Sequence, residues 1–398
     1  MIKYYNTDII DAYLGGFKVE KIYLGDTLVY PSTPPPTPYK DMYLTFKIIS
    51  GGTISWRATS ASFTKELFYS VNDGEWTSIV STTAGVPISL NAGDIVKFKG
   101  DGAISTSSSN PNRFRDSTIV FEVYGNVMSL IDSTGFTTAT TAADHSFRNL
   151  FSSQTGLTSA ENLVLPATTI GTNVYKEMFK GCTSLTKAPE LPAATLAQSC
   201  YMGMFSGCTS LTTAPELPAS GLAQECYRQM FSGCLSLATA PSSIGTSAST
   251  MGVSGCSQMF YNCTGLTTAP ELPANTLAGY CYYQMFDSCK SLTTAPELPA
   301  TTLAGSCYYQ MFYSCKSLTT APELPATTLT ERCYTNMFLG CNSLNYIKCL
   351  ATDISASNCT GGWVISVAST GTFVKNQNMS SWTTGQHGIP DGWTVQDA

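Results

Sequence analysis

Cysteine is the residue type best suited to chemistry in this chain of 398 residues, because its 15 copies follow a regular pattern. All but Cys349 and Cys359 fall in two columns of a repeated motif, eight residues apart in most copies. Thiols can form disulfides or bind zinc. Eight helical residues span about 12 Å, which is too far for a disulfide within one copy. The chain has no C-x₂-C pair, which argues against a zinc site. The columns are Cys200, Cys226, Cys256, Cys281, Cys307 and Cys333, and Cys182, Cys208, Cys234, Cys263, Cys289, Cys315 and Cys341.

We therefore predict that the cysteines are small buried residues that pack between layers, with disulfides between adjacent repeats as the alternative. Their odd number fits reduced thiols better than a closed disulfide framework. Reduced thiols suit assembly in a cytoplasm rather than secretion. The first residues agree, because Lys3, Asp8 and Asp11 stand where a secretory signal would have its apolar core.

Histidines and acidic residues give little sign of catalysis. The only histidines are His145 and His387, and the chain contains no P-loop, G-x-S-x-G, H-E-x-x-H or EF-hand motif. A column of glutamates could hold calcium, but a solvated edge is favoured, because like charges about 5 Å apart in water repel by only about 1 kcal/mol. We therefore predict no enzymatic activity, no catalytic or metal-binding residue and no cofactor. The column is Glu190, Glu216, Glu271, Glu297 and Glu323.

The charge balance argues against nucleic-acid binding, and the lengths of the apolar stretches argue against a membrane-spanning helix. The chain has 21 basic and 27 acidic residues, with a net charge of −6 and no basic run. Nucleic-acid binding needs clustered Lys and Arg to displace counterions, so we expect no nucleic-acid partner. No apolar stretch approaches the roughly 18 residues of a membrane-spanning helix, so we expect no membrane insertion.

The cysteines belong to an internal repeat of about 26 residues. A Met-Phe dipeptide recurs from Met178-Phe179 to Met337-Phe338, and Leu150-Phe151 begins a degenerate earlier copy. Within one copy, Cys307, Met311 and Cys315 are spaced like one stripe of a helix. The following Ser317–Ala321 segment is β-prone and ends at a proline, which favours a brief strand. We therefore predict an α/β solenoid of about eight 26-residue strand-plus-helix units, each covering the apolar face of the last.

The pattern M-F-x-x-C-x-S-L-T-x-x-P-x-L-P resembles the BspA-type leucine-rich repeats over residues 145–348. Repeats of that type are frequent in surface proteins of gut bacteria such as Bacteroides and in their phages. The resemblance implies a leucine-rich-repeat fold and display at a surface. It implies no ligand, because the motif is made of core residues.

The regions on either side of the repeats have different patterns. Residues 1–30 contain a predicted hairpin anchor, and 31–40 form a proline-rich linker. Residues 41–131 show short alternating strands typical of an all-β sandwich. The repeats occupy 132–348, and 349–398 should cap them. The stretch G-F-K-V-x-K-I-Y-L-G-D-T-L-V-Y, followed by prolines, is similar to the N-termini of phage structural proteins of fibres and tails.

Side chains between the core positions are candidates for receptor binding. The first Tyr of each Tyr-Tyr pair recurs in most copies, which indicates packing, whereas the second varies, which indicates exposure. Tyrosines beside amides are common in carbohydrate and protein recognition surfaces. An ordinary solvated surface is the competing interpretation. The candidates are Tyr283, Tyr309, Tyr313, Gln284, Gln310 and Arg228.

We therefore expect a non-enzymatic phage virion protein, of fibre or decoration type, that displays its repeats for host attachment. Its partners would be other virion proteins, through residues 1–40, and a host cell-surface glycan or protein. Assembly through the N-terminus should give a homo-oligomer, with a trimer expected for a fibre. The alternative is a BspA-like adhesin at the bacterial cell surface, which would need an export signal. A glycan-cleaving enzyme is a third class that an activity screen on capsular polysaccharide would test.

Overall fold

The computed structural model describes residues 39–104, 106–107, 111–115, 117–246, 251–380 and 382–398, and the backbone of four strands before residue 31. The first strands are β1 Ala12–Leu14, β2 Phe17–Val19, β3 Ile22–Leu24 and β4 Thr27–Tyr30. Next come β5 Leu44–Ser50, β6 Gly52–Ala58, β7 Glu66–Val71, β8 Thr77–Val80, β9 Val86–Leu90, β10 Ile95–Lys99, β11 Asn112–Arg115 and β12 Val120–Asn126. The last are β13 Thr141–Ala142, β14 Leu157–Val164, β15 Thr169–Ile170, β16 Tyr346–Cys349, β17 Thr372–Lys375 and β18 Thr394–Asp397.

The N-terminal strands form two short antiparallel hairpins. Strand β1 pairs with β2, and β3 pairs with β4. The β3–β4 pair lies within residues 1–30, the segment predicted as an anchor hairpin. The side chains of residues 1–38 lie outside the described residues, and so does the proline-rich linker apart from Tyr39 and Lys40.

Two sheets between residues 44 and 164 face each other across an aromatic core. The larger has the strand order β14-β12-β5-β10-β7-β8, and the smaller has the order β11-β6-β9. The Phe46 ring centroid lies 4.6 Å from that of Phe98 and 4.9 Å from that of Phe114, which crosses between the sheets. Trp56 is fully buried against Phe114, so it packs in the core and offers no stacking surface for a sugar.

The first repeat joins this sheet directly. Strand β14 pairs in parallel with β12, and the Phe151 ring stacks on Phe114 at 5.9 Å. From Phe151 a column of stacked phenylalanines runs through the repeats at spacings of 5.5 to 5.8 Å. One hydrophobic core therefore extends from the sheets into the repeats.

The predicted α/β solenoid of strand-plus-helix units is wrong. In the part of the chain that the structure describes, the only helical segments are the short 3₁₀ turns Ala61–Phe63 and Val127–Leu130. The stripe expected to be an α-helix has a left-handed residue at every fourth position: φ is 57° at Ser306, 53° at Gln310 and 56° at Ser314. A right-handed α-helix cannot continue through residues with positive φ.

The backbone instead forms a ribbon of successive turns. Alternate N–H groups bond to the next repeat, as from Gln310 to the Thr335 carbonyl at 2.9 Å. The N–H groups between them close four-residue turns, as from Met311 to the Tyr308 carbonyl at 3.1 Å. This ribbon has a period of four residues, so positions i, i+4 and i+8 share one buried face, as they would on a helix. That shared spacing is why the cysteine and methionine stripe suggested a helix.

The strand side of each repeat is also shorter than predicted. Neighbouring copies meet there mainly through single parallel bridges, such as Thr268 to Thr294 and Thr320 to Tyr346. Prolines such as Pro322 and Pro325 lack the N–H group that a longer ladder needs. The result is a stack of turn ribbons, called here the repeat stack (residues 145–348), joined by backbone hydrogen bonds along its length.

The C-terminal region covers the last repeat. Strands β16, β17 and β18 form a three-stranded parallel sheet. Trp363 extends the aromatic columns, with its ring centroid 6.2 Å from Tyr334, and Trp382 stacks on Trp363 at 5.7 Å. These tryptophans therefore bury the apolar end of the stack.

Candidate functional site

The thiols pack in the core, 13 of them inside the repeat stack and two, Cys349 and Cys359, in the C-terminal region. All 15 cysteines are buried and free. In the second column each thiol donates to a phenylalanine carbonyl of the preceding repeat, as from Cys315 Sγ to the Phe286 oxygen at 3.1 Å. Burial raises the pKa of Cys182 and Cys341 to about 12. Because the thiolate is the nucleophile, these groups are suited to packing and not to attack on a substrate.

Cys256 departs from the first column, from which its sequence position is shifted by one residue. It lies four residues before Phe260, at the position that Tyr227 and Tyr282 occupy in neighbouring repeats. It is fully buried, and the Tyr282 hydroxyl lies 4.0 Å from the Met251 sulfur. A small thiol therefore replaces a ring in the tyrosine column, inside the repeat that has three extra residues.

The glutamate column forms a solvated edge in the described repeats. Glu323 pairs with Lys348 at 3.0 Å, and Glu216 accepts a hydrogen bond from the Ser242 hydroxyl at 2.6 Å. Within the described ranges, no group of three or more His, Cys, Asp or Glu residues is arranged to hold a metal ion.

One outer face of the stack carries an ordered set of uncharged side chains. Gln284 and Gln310 belong to an amide ladder that begins at Gln229, in which each Nε2 donates to the next Oε1 at 2.8, 2.7 and 2.5 Å. Beside it the Tyr283 and Tyr309 rings stack at 5.0 Å and 8°, and Tyr280 lies 5.9 Å from Tyr283. We call this set the tyrosine–glutamine face: Gln229, Gln258, Gln284, Gln310, Tyr280, Tyr283 and Tyr309.

The structure brings together four of the six predicted surface residues, namely Tyr283, Tyr309, Gln284 and Gln310. Tyr313 is partly exposed in the same repeat as Tyr309 and Gln310, but the ring stack and the amide ladder do not include it. Arg228 lies at the other end of the ladder and is committed to Glu225, with an Nη1–Oε1 distance of 2.6 Å.

The same columns carry charged residues in two of the three earlier repeats. Glu177 is held by Lys180 at 2.7 Å and by the Asn149 amide at 3.1 Å. Arg228 and Glu225 continue this charged half. The outer face therefore changes from ion pairs to aromatic and amide groups along the stack.

Asp287 is a buried acid within the uncharged half, and sequence reasoning missed it. Only 5% of the residue is exposed, and burial raises its pKa to about 6. The Ser288 hydroxyl donates to its Oδ1 at 2.8 Å. It occupies the position that Tyr261 and Tyr313 fill in the adjacent repeats, and that irregularity was the available signal.

A groove of about 360 Å³ opens at the C-terminal end of the tyrosine–glutamine face. The column that contains Tyr283 and Tyr309 continues with Thr335 and Gly361, and this loss of bulk leaves the space. The sequence carried that signal, although sequence reasoning did not use it. The lining includes Tyr309, Arg332, Asn336, Asn358, Ile365 and His387.

The groove floor is fixed by the C-terminal region. The Gly362 N–H donates to His387 Nδ1 at 2.8 Å, and the Thr360 hydroxyl donates to the His387 carbonyl at 2.8 Å. A Cβ at Gly362 would lie 2.4 Å from Asn336 Oδ1, and φ there is 64°. Only glycine therefore fits at position 362, where the backbone has positive φ and lies close to Asn336.

Comparison with known proteins agrees with the repeat geometry. Residues 172–309 and 254–359 match the family model of the BspA type leucine rich repeat region, with six copies. No curated protein and no solved structure matches the chain. The described residues contain no helix with the length and apolar character that a membrane crossing requires. The resemblance proposed from the repeat motif is confirmed, and residues 172–359 carry BspA-type leucine-rich repeats.

Proposed function

We propose that this protein is a non-enzymatic recognition protein of the adhesin type, which binds a cell-surface glycan or protein through its tyrosine–glutamine face. The observation that carries the proposal is the placement of partly exposed Tyr and Gln side chains in register on consecutive repeats, outside the buried columns. The BspA-type repeats support it as a surface-display scaffold.

The physical basis is preorganisation. Tyrosine contributes a large amphipathic contact area at low conformational-entropy cost, because it has only two side-chain torsions. Here the rings of Tyr283 and Tyr309 hold each other, and the amides of Gln284 and Gln310 are oriented by the ladder. These side chains are therefore already ordered before a ligand binds, which lowers the entropic cost of association.

The more specific proposal is display on a phage virion, as a fibre-like trimer with residues 1–40 attached to other virion proteins. Its support is the similarity of the N-terminal stretch to phage structural proteins. Export to a bacterial surface as a BspA-like adhesin is the alternative. Immunogold labelling with an antibody to the repeat stack distinguishes them, because one location labels purified virions and the other labels the cell envelope.

Binding of the fluorescently labelled full chain to intact bacterial cells tests the recognition function. We expect saturable binding that falls at least tenfold in the double variant Tyr283→Ala, Gln284→Glu. The variant Tyr346→Ala removes a partly exposed tyrosine from the strand side and should bind like the unmodified chain. Periodate treatment of the cells removes a glycan ligand, and protease treatment removes a protein ligand. Equal binding by all three proteins would contradict the proposal.

A further inference from the structure

We propose that the groove beside Tyr309 is a binding subsite for one neutral saccharide unit, a hexose or an N-acetylhexosamine. This inference rests on the proposed recognition function and names the ligand class for one end of the tyrosine–glutamine face. It depends on three features of the described residues: an aromatic wall with one covered face, polar groups around the same space, and a floor made of glycine.

Tyr309 supplies the wall. One face of its ring is covered by Tyr283 at 5.0 Å, with an angle of 8° between the ring planes. Its opposite face is turned toward the next repeat, where the same column contains Thr335 instead of a third tyrosine. The face of an aromatic ring carries partial negative charge, so it attracts the C–H groups on the apolar face of a pyranose.

Hydrogen-bonding groups surround the space in front of that ring. Arg332, Asn336, Asn358 and His387 all line the groove. The Gly362 N–H donates a hydrogen bond to His387 Nδ1 at 2.8 Å. Because Nδ1 is the acceptor, the ring proton is on Nε2, which can donate to a ligand. Hydroxyl groups of a sugar both donate and accept, which matches this mixed set better than an anion or an apolar ligand would.

The size and charge of the groove agree with a neutral saccharide. Its volume of about 360 Å³ lies at the small end of the range for ligand sites. The Arg332 guanidinium lies 3.7 Å from the Glu331 carboxylate, so the cation is partly neutralised by its neighbour. Gly361 and Gly362 add no side chain to the floor, which leaves room for a pyranose ring.

The decisive variant is Thr335→Tyr. The same column accepts tyrosine at 283 and 309, so a third tyrosine can stack on the free face of Tyr309 and fill the groove without disturbing the core. Thr294→Tyr is the matched control, because it places the same side chain at an exposed threonine on the strand side. Tyr309→Ala is a second variant, which removes the wall instead of blocking it.

The full-length proteins are applied to an array of immobilised neutral oligosaccharides built from hexoses and N-acetylhexosamines, and the hits are measured by calorimetry. We expect binding to at least one structure, lost at least tenfold in Thr335→Tyr and Tyr309→Ala and unchanged in Thr294→Tyr. Absence of any neutral hit, or equal binding by Thr335→Tyr, overturns the subsite. If Thr335→Tyr keeps its cell binding while Tyr283→Ala, Gln284→Glu loses it, the groove proposal is wrong and the recognition function stands.

Discussion

Replacing Ser314 with glycine and with alanine distinguishes the turn ribbon from a helix by the sign of the stability change. Ser314 has φ of 56°, and the equivalent position is glycine at 181, 207, 233 and 340. In an α-helix, Ser314→Ala would stabilise and Ser314→Gly would destabilise, each by about 0.5 kcal/mol. In the ribbon the order is reversed, because only glycine adopts positive φ without steric strain.

The magnitude follows from the backbone and from the neighbouring repeat. A left-handed conformation costs a non-glycine residue about 1–2 kcal/mol, and glycine loses about 0.5–1 kcal/mol more backbone entropy on folding. Ser314→Gly should therefore raise the free energy of unfolding by about 0.5–1 kcal/mol. A Cβ at Gly340 would lie 3.1 Å from Ser314 Oγ, which shows how closely the two repeats approach at this point.

Thermal unfolding followed by circular dichroism and urea titration measures the difference. We expect Ser314→Gly to have the highest Tm, by about 1–3 °C, and Ser314→Ala to have the lowest. Ser317→Gly is the control, because Ser317 is outside the set of residues with positive φ and glycine there should destabilise. A Ser314→Ala protein more stable than Ser314→Gly would refute the turn ribbon.

Three other results are expected. Burial raises the pKa of Asp287 to about 6, so its carboxyl favours the folded state fully only below about pH 4. The free energy of unfolding should fall by up to about 3 kcal/mol as the pH rises through about 6. The Asp287→Asn variant should not show this fall in urea titrations. The Tyr201 hydroxyl is buried without a partner among the described groups, so Tyr201→Phe should raise the free energy of unfolding by about 1 kcal/mol; a decrease would contradict this. Iodoacetamide should alkylate the cysteines only after denaturation, because the thiols are buried and burial raises their pKa. Mass spectrometry measures the number of modified cysteines, and rapid labelling of the folded chain would exclude this packing.

The repeat architecture could be predicted from the sequence because it depends on residue type and period. Met311, Phe312 and Cys315 are buried as their recurrence indicated, and the same columns are buried in the other copies. The type of local structure was predicted wrongly, because the spacing i, i+4, i+8 fits both a helix and a ribbon of four-residue turns. The distinguishing signal was the recurrence of Gly, Ser, Asn and Gln every fourth residue, at positions such as Gly207 and Gln310.

The candidate site was predictable only in part. Variation between copies marked Tyr283 and Tyr309 as candidate surface residues, and the position of Gln284 and Gln310 between the core positions marked them too. Stacking in register places the four together. It could not identify Asp287, because its burial depends on side chains from adjacent repeats.

The sequence by itself determined the repeat, its buried columns and its resemblance to BspA-type leucine-rich repeats, since each of these depends on which residues recur at a fixed spacing. Only the tertiary structure decided that the turns replace helices and that a groove joins Tyr309 to His387, which are 78 positions apart. The physical reason is that hydrogen bonds within the C-terminal region hold His387 against Thr360 and Gly362, beside Tyr309 of the last repeats, and no local pattern encodes that contact.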